Sequence, residues 1–303
     1  MRFALTSLLL LLAALSGCTS NQMLNSTTPT RGYKVASNLV YDPAYSLRLD
    51  VYTPDDARNA PVVVFFHGGR WSGGSKDFFR FVGEALTSRG FVAVVTDFRQ
   101  YPQVRFPGFV EDGAKAVVWT RQNISTYGGD PNRLFVMGHS SGAHIAAMLA
   151  VKDSFLTAAG GSRTWLRGMI GLAGPYDFLP IEDPELRDVF APPEKFAETQ
   201  PILWADGTNP PLLLMHGEDD ETVWVKNTRS FASAVAKAGG PVDTVIYPKM
   251  SHERMLQSLS KALRAQTDVI DHIAGFVKKW SAQAYVPPNR TEESIQTVPV
   301  ELE

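Results

Sequence analysis

A chain of 303 residues with 44% hydrophobic and 20% charged side chains can bury a large α/β core, as one domain or two smaller ones. A net charge of −2, with no basic run, excludes the electrostatic footprint of a nucleic-acid binder. Cys18 is the single cysteine, which excludes an internal disulfide; no metal-ligating cluster and no phosphate-binding Gly-Lys motif is present, so no cofactor is implied.

The first eighteen residues read as an address. Arg2 gives a positive start, Leu8 to Leu15 form a short apolar run, and Leu15-Ser16-Gly17-Cys18 follows. That ending resembles the lipobox of bacterial lipoproteins, which makes residues 1–17 a signal peptide and Cys18 the lipidated new N-terminus. The apolar run falls far short of the roughly 20 residues a membrane span needs. Thr19 stands where inner-membrane lipoproteins typically carry Asp, so the resemblance implies an outer-membrane anchor facing the periplasm. Residues 18–32, rich in Asn, Thr and Ser, are expected to form a flexible tether.

Residues 33–282 show neither an internal repeat nor a linker between domains. Leu47 to Tyr52 alternates like a half-exposed strand, and Pro61 to His67 is a nearly continuous apolar run, as in a strand covered on both faces. Helical spacing follows over Lys76 to Arg89, a buried strand over Phe91 to Asp97, and a long helix over Phe109 to Thr126. Arg133 to Met137 reads as a buried strand and Ala143 to Val151 as a helix. Gly168 to Ala173 and Pro211 to His216 are further strands, Trp224 to Ala238 is helical, Val242 to Tyr247 is a strand, and Leu256 to Trp280 is the last helical material. Buried strands alternating with helices predict an α/β fold, a mostly parallel central sheet with helices on both faces. Residues 175–210, rich in Pro and carrying Phe178, Phe190, Phe196 and Trp204, break the alternation and predict a cap-like insertion over the C-terminal edge of the sheet. Residues 283–303 form a polar tail.

Between the strand ending at Met137 and the helix from Ala143 lies Gly138-His139-Ser140-Ser141-Gly142. In a strand–turn–helix setting G-x-S-x-G is a candidate nucleophile elbow, with Ser140 on a strained turn and glycines where strand and helix must pass closely. A serine hydroxyl needs a base, and the base an orienting acid. Of the six histidines, His139 and His144 sit too near Ser140 in sequence to swing back to it, while His67 and His216 end strands and suit structural or oxyanion-loop roles. His272 falls mid-helix, leaving His252, in the loop between the last strand and the last helix. The acid lies in Gly217-Glu218-Asp219-Asp220-Glu221; Asp220 fits best, since Val223 can anchor a turn that aims it inward, and Asp219 is the second candidate. His67-Gly68-Gly69-Arg70-Trp71 follows a strand, and the amides of Gly68 and Gly69, with that of Ser141, form a candidate oxyanion hole.

These segments together resemble α/β-hydrolases of the carboxylesterase type, close to feruloyl-esterase-like (BD-FAE-like) enzymes, and also kynurenine formamidase and the isoprenylcysteine methylesterases. HGGRW at 67–71, DFRQYP at 97–102, YGGDPNRL at 127–134, GHSSGAH at 138–144, AGPYD at 173–177 and HGEDDETV at 216–223 carry the resemblance, which covers about Val51 to Trp280. It implies the α/β-hydrolase fold, the order Ser140, Asp220, His252, and a serine esterase acting on small-molecule esters through an acyl-enzyme. Its acid, two residues after His-Gly and before a valine, also falls on Asp220. Trp71 and Tyr176 are then expected to line the acyl pocket, with 175–210 as its roof. The chain departs from the pattern at Arg70, where many relatives have a third glycine, at Trp224, where proline is common, and at Ser251, where glycine usually precedes the histidine. Amide hydrolysis of the arylformamidase type uses the same machinery, and a lipid-anchored binding protein on a retired hydrolase scaffold is the reading from another class.

Overall fold

The apolar runs assemble into one eight-stranded sheet in a computed structural model that describes residues 23–283. In chain order the strands are β1 (Tyr33–Asp42), β2 (Leu47–Pro54), β3 (Ala60–Phe66), β4 (Val92–Thr96), β5 (Gly129–His139), β6 (Leu166–Leu172), β7 (Leu212–Gly217) and β8 (Val242–Tyr247). They lie in the order β1-β2-β4-β3-β5-β6-β7-β8. β2 pairs antiparallel with both β1 and β4, and all other pairs are parallel.

Among the described residues that follow β1, the α-helices are α1 (Arg80–Thr87), α2 (Gly108–Asn123), α3 (Ser141–Val151), α4 (Ser154–Ala158), α5 (Pro184–Val189), α6 (Lys226–Lys237), α7 (His252–Gln257) and α8 (Val269–Ala282). Side chains alternate across a strand, so β3 feeds two cores at once. Val62, Val64 and Phe66 pack with residues of α2, α3 and α6, whereas Val63 and Phe65 pack with residues of α1 and α8. Burial on both faces is why these strands read as unbroken apolar runs.

Strand β4 lies to one side of β3 and β5 to the other, so the chain reverses its winding between β3 and β5. Open α/β sheets bind ligands outside the carboxyl ends of the strands at such a switch point. The segments leaving β3 and β5 at that point are Gly68 to Trp71 and Ser140. The loop after β7 brings in Asp220, and His252, expected in a loop, is the first residue of α7, just after the turn that follows β8.

Three expectations change. β1 is a strand that the pattern does not announce: it is an edge strand, mostly exposed, with irregular pairing between Ala36 and Leu39 and between Val40 and Asp42. It therefore presents no clean apolar face. The stretch expected to be tether is packed at its later end. Leu24 lies against the core, and Asn25 donates from Nδ2 to the Asp77 carbonyl at 2.7 Å while its Oδ1 accepts from the Phe81 amide at 3.2 Å. The last helical stretch is two helices, α7 and α8, with a 3-10 turn, Arg264–Gln266, between them. The signal peptide, Cys18 and nearly all of the polar tail fall outside the described residues; among those described, no helix is long and apolar enough to cross a membrane.

Candidate active site

Ser140 is held in an elbow that only its surroundings make tolerable. Its φ of 54° and ψ of −127° lie outside the regions an L-residue prefers. A Cβ on Gly138 would come within 2.1 Å of the Gly142 carbonyl oxygen, and one on Gly142 within 2.0 Å of that of Phe66, so both positions require glycine. The Ser140 amide donates to the Leu172 carbonyl at 2.9 Å, pinning the elbow to β6. As the first residue of α3, Ser141 has an amide with no carbonyl to reach within the helix.

The Gly-rich loop backs onto this serine. A Cβ on Gly68 would lie 3.0 Å from Ser140 Cβ, which measures how closely the loop approaches. His67, fully buried, is stacked between Phe79 and Phe98 at 5.3 and 4.6 Å, and its Nδ1–H donates to the Gly68 carbonyl at 2.9 Å. Its role is to hold this loop. The loop's far end is tied down where the Lys76 amide donates to Asp97 Oδ1 at 2.7 Å.

The candidate acid and the candidate base meet. His252 Nδ1–H donates to Asp220 Oδ2 at 2.7 Å. Asp220 is 4% exposed, whereas Asp219 is exposed on the surface, which decides between them. Asp220 Oδ1 accepts the amides of Thr222 and Val223 at 3.0 and 2.8 Å, so Val223 does anchor the turn. Burial alone would drive the Asp220 carboxyl upward, but hydrogen bonds from His216, His252 and the Val223 amide hold it well below the usual carboxylate range.

Two histidines have partners that sequence reasoning missed. His216 Nε2–H reaches Asp220 Oδ2 at 3.1 Å as well as the Val223 carbonyl at 2.7 Å. His139 Nε2–H donates to the backbone carbonyl of His252 at 3.0 Å. Residue spacing carries no signal for the His139 contact, which joins residues 113 positions apart. His216, by contrast, reaches Asp220 and Val223 within its own loop, where the sequence leaves open which way the ring turns.

Ser140 sits where two cavities meet. One, of about 360 Å3, is lined by Gly68, Gly69, His139, His252 and Glu253; the other, of about 390 Å3, by Trp71, Phe178, Leu179, Val223 and Trp224. Trp71 thus lines a pocket, as expected, with its ring edge-on to Phe190 at 4.8 Å. Tyr176 does not. It is fully buried, packs on Phe231 at 4.9 Å, and lines neither cavity. The chain turns inward there because Asn227 Oδ1 accepts the amides of both Tyr176 and Asp177 at 2.9 Å. Residues 175–210 do overlie the second cavity, through Phe178, Leu179 and Leu186. Arg70, in place of a third glycine, ties the Gly-rich loop to residues 175–210 by donating to Asp183 at 3.0 Å and Glu185 at 3.5 Å. Among the described residues no group of His, Cys, Asp or Glu is arranged to hold a metal ion.

The fold, with an elbow serine, a Gly-rich loop and a carboxylate–imidazole pair converging at the switch point, defines an α/β-hydrolase. More narrowly, the chain belongs to the BD-FAE family, whose model matches residues 49–235. It is 30% identical over 243 residues to isoprenylcysteine alpha-carbonyl methylesterase ICME of Arabidopsis thaliana, covering 72% of this chain and 56% of that protein. To the esterase LipC of Mycobacterium tuberculosis it is 31% identical over 221 residues, covering 66% of this chain and 55% of that one. The chain thus spans about half the length of the curated relatives it matches. In fold it is similar to an esterase from Pyrobaculum calidifontis, with a TM-score of 0.72 at 22% identity over 88% of this chain and 92% of the other.

Proposed function

We propose that this protein is a carboxylic-ester hydrolase that works through an acyl-enzyme. The observation that carries the reading is the 2.7 Å bond from His252 Nδ1 to buried Asp220, with His252 facing the same cavity as the strained Ser140. That bond places the proton on Nδ1 and leaves Nε2 as the base. Ser140 Oγ attacks the ester carbonyl carbon as His252 Nε2 takes its proton. The amides of Gly68, Gly69 and Ser141 hold the negative oxygen of the tetrahedral intermediate. When the C–O bond breaks, His252 gives its proton to the departing alcohol; water then attacks the acyl-serine by the same steps in reverse.

The two cavities divide the substrate. The leaving oxygen must receive its proton from His252, so the alcohol lies in the cavity that His252 lines. The acyl group then enters the cavity lined by Trp71, Phe178, Leu179 and Trp224, whose walls favour apolar acyl groups. The relatives named as esterases support ester over other acyl substrates. An acyl-enzyme makes a direct kinetic demand: with p-nitrophenyl acetate, p-nitrophenolate should be released in a burst of about one equivalent before the steady state. Release that stays linear from the first turnover, with deacylation shown to be slow, would refute the covalent intermediate.

Cys18 is our proposed point of lipid attachment at the outer membrane, resting on the sequence that precedes it.

A further inference from the structure

We infer that His216 is a positioning residue that, with its hydrogen fixed on Nε2 by Thr228, holds the Asp220 carboxylate and limits how strongly it binds the proton of His252. The inference rests on the proposed roles of Asp220 and His252. His216 is fully buried at the end of β7. Its Nε2 faces two acceptors, the Val223 carbonyl at 2.7 Å and Asp220 Oδ2 at 3.1 Å, so the hydrogen belongs on that nitrogen. Nδ1 then accepts from the Thr228 hydroxyl at 2.8 Å, and Thr228, in α6, is itself fully buried. The result is a chain of donors running from Thr228 through His216 to Asp220 Oδ2, the oxygen that also takes the His252 hydrogen at 2.7 Å.

One oxygen shared between two N–H donors carries less unshared negative charge than one facing His252 alone. Without His216, Asp220 would pull harder on the His252 hydrogen and favour the imidazolium, which cannot act as a base. The other titratable groups near this carboxylate are His139 and His252 themselves; Glu218, Asp219 and Glu221 of the same loop are exposed.

Three variants test this, read by the pH dependence of kcat/KM for p-nitrophenyl acetate. His216→Phe keeps a ring and removes the donor; the acidic limb should move up by about one pH unit, the size one hydrogen bond to a charged group carries, with kcat down about tenfold and KM within about twofold. His216→Gln keeps a donor and should return the limb toward the wild-type position. Thr228→Val, close in shape to the native residue, should move the limb the same way by a smaller amount, and it decides the matter if His216→Phe does not fold. A limb that stays put in folded, active Thr228→Val and His216→Phe overturns the inference and leaves the proposed function standing. A wild-type protein that does not hydrolyse the ester removes the reading beneath it instead.

Discussion

The imidazole of His139 lies against that of His252, with ring centroids 4.7 Å apart, and its Nε2–H holds the His252 backbone carbonyl at 3.0 Å. The residue before Ser140, our proposed nucleophile, thus clamps the residue proposed to deprotonate it. Burial and the neighbouring His252 pull His139 down to about 3, so it stays neutral beneath a ring that becomes charged in each turnover. Replacing it with alanine removes the clamp and leaves a buried carbonyl without its donor. We expect His139→Ala to lose about 1–3 kcal/mol of stability in urea unfolding and about 10-fold or more in kcat/KM. Unchanged values for both would show that the contact is incidental.

The histidines also set how stability depends on pH. Burial lowers His144 to about 4, and its Nε2–H donates to the Thr199 carbonyl, which belongs to the 175–210 segment. An unfolded histidine titrates near ~6.5, so below that pH the unfolded chain binds protons that native His139 and His144 refuse. Stability from these two is complete above about pH 6.5 and falls as the pH drops toward about 4, by at most roughly 1.4 kcal/mol per pH unit for each. Asp220, held low in the folded state, adds a further loss only below about pH 4. His144→Gln, which keeps a donor for Thr199, should roughly halve the slope of unfolding free energy against pH between about 6 and 4.5. An identical slope would contradict the assignment.

Tyr176 provides a test of what the pockets exclude. Its hydroxyl is buried without a hydrogen-bond partner and lines neither cavity. Tyr176→Phe should therefore be neutral or stabilising by up to about 1–2 kcal/mol, with kinetics unaltered across esters of different acyl length. Trp71→Ala, by contrast, opens the cavity we propose for the acyl group and should shift preference toward bulkier acyl groups. A Tyr176→Phe variant with an altered acyl preference would return that residue to the pocket.

The adjacent acids separate in a similar way. Asp220→Asn should lower kcat by about four orders of magnitude, because the amide no longer fixes the imidazole tautomer. Asp219→Asn, at an exposed position, should remain within about twofold of wild type. Comparable losses in both variants would mean that the exposed carboxylate also serves the reaction.

The parallel core was legible because strands covered on both faces must be apolar throughout, as Val62 to Phe66 are. The gathering of Ser140, Asp220 and His252 at one end of the sheet was legible because each follows a recognisable strand. β1 was not, since its irregular pairing spaces the buried Tyr33 and Tyr41 among exposed positions and leaves no regular apolar rhythm. Tyr176 was misread because a tyrosine just beyond a strand can face the pocket or the core, and the choice was made by Asn227, fifty-one positions away. The contact of His139 was hidden for the same reason, since its partner lies 113 positions away, while His216 has local partners whose geometry depends on how its own loop folds back.

The central claim is that Ser140 is the nucleophile, and covalent trapping tests it most directly. A fluorophosphonate probe, followed by digestion and peptide mass spectrometry, should place one adduct on Ser140, with no adduct in Ser140→Ala and none after prior heat unfolding. Failure of the folded, wild-type protein to be labelled, or an adduct on another residue that persists in Ser140→Ala, would contradict the account.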